Sequence, residues 1–157
     1  MTGRLLVKQL LGKNYKVRII VRSTHKLSAD ILGNPNTTTI EASVLDLTYE
    51  ELMEHVKDCD AVVSCLGHVM NFKGIFGEPK KLCTDATRNL CNSLEKHRLP
   101  KPTKFILMNT VGVQNPDLEE KRNWFERGLL TLLHHTLPPH SDNETAAEYL
   151  HLSLIHI

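Results

Sequence analysis

Short apolar runs alternating with amphipathic helical stretches constrain this chain more than any other feature. Tyr15–Val21 (YKVRIIV), Thr39–Val44, Asp60–Leu66 (DAVVSCL) and Lys104–Val113 (KFILMNTVGV) read as strands. DAVVSCL is short and apolar throughout, as a parallel strand covered on both faces requires. Thr2–Lys13 carries Leu5, Leu6 and Leu10 at helical spacing, with Gly12 as a stop. Ser28–Leu32 reads as a short helix and GNPNTTT, 33–39, as a turn. Thr48 and Glu51 form a capping-box pattern for a helix whose inner face is Leu52, Met53 and Val56. Lys81–His97 puts Leu82, Ala86, Leu90 and Leu94 on one stripe, and Pro100 and Pro102 end it. Leu118–Leu137 is helical with an interruption at Gly128. Pro138 and Pro139 break it, and Ser141 with Glu144 opens a helix through Leu150. Strands and helices alternating in this way predict an α/β fold with a mainly parallel sheet.

Composition removes several alternatives. The chain has 19 basic and 18 acidic residues and a net charge of +1, which argues against a nucleic-acid or membrane-surface protein held by bulk charge. No apolar run approaches the roughly 18 residues of a spanning helix. MTGRLLVKQLLGKN is too polar and too regularly amphipathic for a secretory signal. Cys59, Cys65, Cys83 and Cys91 contain no CxxC pair and sit in apolar segments. They read as reduced thiols of a cytoplasmic protein rather than a disulfide framework or a zinc site. His134, His135 and His140 flank the Pro-Pro break without the carboxylate pattern of HExxH, so no metal is expected from them.

Five motifs fall in order at strand ends: Thr2-Gly3-Arg4-Leu5-Leu6 opening the first helix, Val21-Arg22 with Ser23 and Lys26, Asp46-Leu47, DAVVSCLG at 60–67, and Asn109-Thr110-Val111-Gly112. In these the chain resembles the atypical short-chain dehydrogenase/reductases, the NAD(P)H-binding group that includes NmrA-like proteins and biliverdin/flavin reductases. The resemblance runs from residue 2 to about 150. It implies a Rossmann-like doubly wound parallel sheet with a cofactor outside the carboxyl ends of the strands. Thr2, Gly3, Arg22, Ser23, Lys26, Asp46, Leu47, Leu66, Gly67 and Asn109 are the cofactor-binding residues it implies.

Physical chemistry supports the assignment at each position. A helix starting at Thr2-Gly3 offers unpaired N–H groups and a positive dipole end to a pyrophosphate. Arg22 stands 19 positions after Gly3, where an acid would hold a ribose 2′-hydroxyl or an arginine a 2′-phosphate. No Asp or Glu occurs between Lys16 and Ala29, so NADP(H) is expected over NAD(H). Asp46 and Leu47 would face the adenine, the first by hydrogen bonding and the second by packing, or Asp46 helps cap the helix that begins at Thr48. Gly67 either passes close to the cofactor or closes a strand-end turn.

Catalysis is less legible. The YxxxK motif typical of short-chain reductases is missing: Tyr149 is followed four positions later by Ser153. Thr110, in the region of the family's serine, and His68, directly after Gly67, are the candidates for handling a substrate oxygen. Two functions stay open: hydride transfer to a small carbonyl, quinone or flavin-like acceptor, or a non-catalytic NADP(H)-sensing regulator that docks a protein partner. Trp124, Phe125, Leu129, Leu132 and Leu133 form an apolar stripe that suits core packing or cover over a substrate pocket, ahead of partner docking or a membrane-surface helix.

Both ends carry expectations. The doubly wound order puts its first strand at the centre, and the strand that would stand between 15–21 and 60–66 is expected to be missing, with the C-terminal strands. That leaves either a gap or a direct pairing of those two strands, and a marginally folded, weakly binding chain. LSLIHI at 152–157 matches the translated end of a transposon-based library adaptor. Residues 1–151 are therefore read as a partial dinucleotide-binding domain and 152–157 as a non-native tail.

Overall fold

The computed structural model describes residues 2–69, 71–96, 103–110, 112, 113 and 123–154. Helix α1 (Thr2–Gly12) leads into strand β1 (Val17–Val21), a 3-10 turn at Thr24–Lys26, the single-turn helix α2 (Ala29–Leu32) and strand β2 (Thr37–Glu41). Helix α3 (Tyr49–Val56), strand β3 (Ala61–Ser64), helix α4 (Phe72–Phe76), helix α5 (Leu82–Lys96) and strand β4 (Lys104–Leu107) follow. Helices α6 (Trp124–Thr136) and α7 (Pro138–Leu154) end the described chain. No helix among the described residues is long and apolar enough to cross a membrane.

The strands pair in parallel as two separate couples. In the first, Val17 lies opposite Thr37 and Val21 opposite Glu41. In the second, Ala61 lies opposite Lys104 and Ser64 opposite Leu107. No ladder joins β1 to β3 among the described residues. Of the two expected outcomes at this place, an interruption or a direct pairing, the interruption is found. The result is a Rossmann-like α/β fold whose sheet is split in two.

Side-chain packing connects the two couples where backbone pairing does not. Leu52 and Val56 of α3 and Leu90 of α5 form a buried cluster, joined by Ile20 of β1, Val62 of β3 and Phe105 of β4. Arg18 of β1 adds hydrogen bonds from Nη1 to the carbonyls of Glu54 (3.3 Å) and His55 (2.5 Å) at the end of α3. A second cluster of Leu11, Ile19 and Ile31 underlies the first couple.

Several local expectations shift. In α1 the buried residue is Leu11, with Val7 packed beside it, while Leu5 stands 62% exposed. The i, i+4 pair Val7/Leu11 faces β1, which turns Leu5 outward. Strand β2 begins two residues earlier than expected and ends at Glu41, because the β-branched Thr37–Thr39 extend the ladder opposite Val17–Ile19. β4 stops at Leu107, short of Val113. Helix α5 buries Cys83, Thr87, Cys91 and Ser93 besides its apolar stripe, since it is packed against both α3 and α7.

The capping box on α3 is present as expected: Glu51 N–H donates to Thr48 Oγ1 (3.2 Å) and Thr48 N–H donates to Glu51 Oε2 (2.9 Å). The second expected box, Ser141 with Glu144, does not form. Helix α7 starts at Pro138 instead. Proline suits the first helical position, where its missing N–H has no partner to lose. Glu144 is thereby inside the helix and its carboxylate meets His134 of α6 and, at 3.3 Å, His140. The box at this end belongs to α6, from Asn123 and Glu126. Its expected opening at Leu118, like His97 and Val111, lies outside the described residues.

Candidate cofactor site

The start of α1 is the hub of the carboxyl-end face. A Cβ placed on Gly3 would lie 3.4 Å from Cys65 Cβ, just past the end of β3, so the first turn of α1 packs directly on that strand end. On its other side, Arg4 Nη1 donates to the Lys26 carbonyl at 3.3 Å. This bond ties the helix start to the loop after β1, which carries Arg22, Ser23 and Lys26. The first turn of α1 holds no acidic side chain, and Arg22 and Lys26 are exposed. The first amides and positive dipole end of a helix, with two exposed cations on the loop tied to it, suit a phosphate.

The loop after β1 is held by a carboxylate that sequence reading does not single out. Glu41 closes β2 directly opposite Val21, and its Oε2 accepts the Thr24 N–H at 2.9 Å and the Thr24 hydroxyl at 2.5 Å. Those bonds hold the Glu41 carboxyl below its ordinary value. Ser23 Oγ meets His25 Nδ1 within the same loop. Recognising Glu41 requires the strand register, because in the sequence it lies beyond the window in which a ribose-binding acid is sought.

Residues 46 and 47 divide. Leu47 packs against the Leu52/Val56/Leu90 cluster, while Asp46 is exposed in a turn closed by its N–H on the Ser43 carbonyl (3.0 Å). Leu47 therefore serves the core, and the helix after it is capped by Thr48 rather than by Asp46.

The ends of β3 and β4 form the other half of the face. Gly67 is exposed, and a Cβ there would meet nothing within 4 Å, which leaves open backbone beside α1. Leu66 turns its carbonyl to the Cys83 thiol at 3.7 Å. Asn109 donates from Nδ2 to the Asn143 carbonyl (2.9 Å) and accepts the Thr110 N–H (2.8 Å), fastening β4 to α7. Asn109 is thus a tie between elements, while Thr110 is exposed beside it.

His68 is placed differently from a residue facing a substrate. Its side chain is 5% exposed. Nδ1 lies 3.2 Å from the Gly74 carbonyl, and Nε2 lies 2.8 Å from Asp142 Oδ2. Asp142 also accepts the N–H groups of Cys83 (2.7 Å) and Thr84 (2.9 Å) at the start of α5. Burial works against its charge, but the bonds from Thr84, His68 and Cys83 outweigh this and hold the carboxyl below its ordinary value. Burial, with Asp142 nearby, pushes the Cys83 thiol up to about 12, and all four cysteines are free. Tyr149 donates to Asn92 Oδ1 at 3.0 Å and lies under Arg88, so it fastens α7 to α5.

Two surface hollows lie elsewhere. One of about 420 Å³ is lined by Tyr49, Asn92, Glu95 and Lys96, and one of about 280 Å³ has Lys80, Lys81, Thr84 and Asp142 in its wall. The candidate cofactor face is the shelf at the strand ends, where an open α/β sheet has its crevice.

No curated protein matches the chain at a significant level. A family profile described as NAD(P)H-binding matches residues 1–153. The match spans every element that frames the shelf, from the start of α1 to most of α7, and a nicotinamide dinucleotide is the ligand for which a helix N-terminus at these strand ends is suited. The chain belongs to the NAD(P)H-binding family.

Proposed function

We propose that this chain is the NADP(H)-binding domain of an oxidoreductase that passes hydride to a small carbonyl, quinone or flavin-like acceptor. The observation that supports the reading is the bond from Arg4 to the Lys26 carbonyl, which ties the start of α1 to the loop that carries Arg22 and Lys26. A 2′-phosphate needs a guanidinium or ammonium there, and a free ribose needs a carboxylate. Glu41 is already engaged by Thr24, which leaves the cations to recognise the ribose end. Thr2 and Gly3 would take the pyrophosphate, and Gly67 would let the backbone approach the nicotinamide half. The cofactor supplies the hydride when bound; Thr110 is the exposed hydroxyl at the β4 end that would hold the acceptor's oxygen.

Binding of NADPH and NADH to the full chain and to Arg22→Ala tests the cofactor preference. A charge-assisted bond to phosphate is worth about 1.5–3 kcal/mol. The substitution should therefore weaken NADPH roughly 10- to 150-fold and leave NADH unchanged. Equal affinity for the two cofactors in the parent chain would overturn the preference.

A second reading, a non-catalytic NADP(H)-sensing regulator, draws on two observations. His68 is closed off, and Trp124 (82%), Phe125 (63%), Leu129 (47%) and Leu132 (58%) leave an exposed apolar face on α6. NADPH consumption against a panel of acceptors separates the readings: turnover supports the enzyme, and saturable binding without turnover supports the regulator.

A further inference from the structure

Three side chains that lie far apart in the sequence meet in the interior. His68 comes from the loop after β3, Cys83 from the first turn of α5 and Asp142 from α7. The His68 and Asp142 side chains are 5% and 1% exposed, and Cys83 is 2% exposed. One donor atom from each lies within 4.8 Å of the others.

Hydrogen bonding around His68 is unbalanced. Nδ1 faces the Gly74 carbonyl, which can accept but not donate, so Nδ1 carries the hydrogen. In the neutral ring Nε2 then presents a lone pair, and it is aimed at a carboxylate oxygen 2.8 Å away. Two acceptors at that distance repel unless a cation stands between them. The hydrogen bond from His68 that helps hold Asp142 ionised requires a second proton on the ring; a metal ion between the two atoms would serve in that proton's place.

The surroundings favour the metal. A ring whose other N–H is held by a backbone carbonyl is the usual arrangement of a metal-bound histidine, since that bond fixes the tautomer and the ring's direction. Asp142 is oriented in the same sense, with one oxygen on the Cys83 amide and the other on the Thr84 amide. A sulfur within 4.8 Å of both atoms offers a third donor, giving an N, O and S set of the kind zinc accepts.

We propose that His68 Nε2, Cys83 Sγ and Asp142 Oδ2 bind one divalent cation of the zinc class. Bonds of about 2.0–2.1 Å to nitrogen and oxygen require the two atoms to part to roughly 3.3 Å, so the pair opens by about half an ångström. Binding replaces the thiol S–H by a metal–sulfur bond, and the proton leaves to solvent. The Leu66 carbonyl or a water completes the coordination. With its ligands buried, the site is a clip that fastens the loop after β3 and α7 to the start of α5. The hollow of about 280 Å³ reaches Asp142 past Lys80 and Lys81; their charge opposes entry, so the metal is best supplied during refolding.

The test is refolding of the full chain with Co²⁺ under reducing conditions, read by absorbance. One equivalent should give a thiolate-to-cobalt charge-transfer band that one equivalent of Zn²⁺ removes. Cys83→Ser should abolish the band and His68→Gln should weaken Co²⁺ binding at least tenfold. Zn²⁺, but not Mg²⁺, should raise the thermal midpoint of the parent chain. Surface histidines such as His134 and His135 can take up Co²⁺ but cannot produce the sulfur band. The absence of the band from the refolded parent chain overturns the proposal and leaves a proton between His68 and Asp142. A band that survives in Cys83→Ser overturns it too. The parent measurement stands even if a variant does not fold, and none of these readings involves NADPH.

Discussion

Because no backbone ladder joins β1 to β3 among the described residues, the cluster around Leu52 is a main link between the two strand pairs, and Leu52→Ala tests that directly. Leu52 is fully buried, and it packs with Val56 and Leu90 against Ile20 from one pair and Val62 and Phe105 from the other. The substitution removes three carbons. At about 0.8 kcal/mol per buried carbon the transfer loss is about 2.4 kcal/mol. A cavity term adds to it, and fully buried leucines of this kind lose about 2.7–5.0 kcal/mol in all. Walls supplied by a helix pair and two unconnected strand pairs relax unequally, so about 3–4 kcal/mol is expected here. Urea unfolding followed by far-ultraviolet circular dichroism gives the total. Trp124, the single tryptophan, is 82% exposed and is a poor probe. Hydrogen exchange resolved by peptide locates the effect. Leu52→Ala should speed exchange in both Val17–Val21 and Ala61–Ser64. Leu11→Ala, in the cluster beneath the first pair, should speed exchange in Val17–Val21 alone. A loss below about 1 kcal/mol, or faster exchange confined to α3, would refute the coupling.

Further outcomes follow from individual contacts. Thr48→Ala removes the acceptor for the Glu51 amide and should cost about 1 kcal/mol in thermal unfolding; no measurable loss would mean the box adds nothing to α3. Glu41 lies below its ordinary value of 4.5 because Thr24 bonds the ionised form. The tie on the loop after β1 is therefore complete above about pH 4.5 and is lost as pH falls through the lower folded value. Exchange of the Thr24 amide should rise relative to its neighbours over that range, and Glu41→Gln should abolish the pH dependence. A Cβ on Gly74 would lie 2.2 Å from the Val69 carbonyl oxygen. Gly74→Ala should consequently displace α4 and release the carbonyl that holds His68, visible as altered His68 ring resonances; an unchanged spectrum would count against this placement.

Fold class was legible because the signals for it are local. YKVRIIV and DAVVSCL announce buried strands from composition and length, and Thr48 with Glu51 announces a helix start within one turn. The helix start at Thr2-Gly3 and the strand end at Val21 were legible for the same reason, since each occupies a few consecutive residues. Other features depend on pairings across the fold. The start of α7 was misplaced because Ser141 and Glu144 satisfy the capping pattern while the two prolines, which look like a break, themselves open the helix. Leu47 matched a cofactor-facing motif, yet its direction is decided by the Leu52 cluster. Asp142 carries no local signal at all; its role depends on reaching residues 68, 83 and 84.

The two halves of the shelf therefore differ in kind. At the β1 end the groups that would meet a nucleotide are open: the first amides of α1, Arg22 and Lys26. At the β3 and β4 ends the polar side chains are largely consumed by the fold, His68 by Gly74 and Asp142, and Asn109 by Asn143 and Thr110. A proton delivered from His68 would require one of its two bonds to break. Breaking a bond to a buried charged partner costs about 1.5–3 kcal/mol, which is about 10- to 150-fold in rate. Thr110 joins that network through its backbone N–H, while the residue is exposed. If hydride transfer occurs on this shelf, His68→Gln should alter stability more than turnover, whereas Thr110→Val should reduce turnover and leave the melting midpoint in place. The reverse pattern, turnover lost with His68→Gln at unchanged stability, would mean that the Asp142 bond opens during the reaction and that His68 is the proton donor after all.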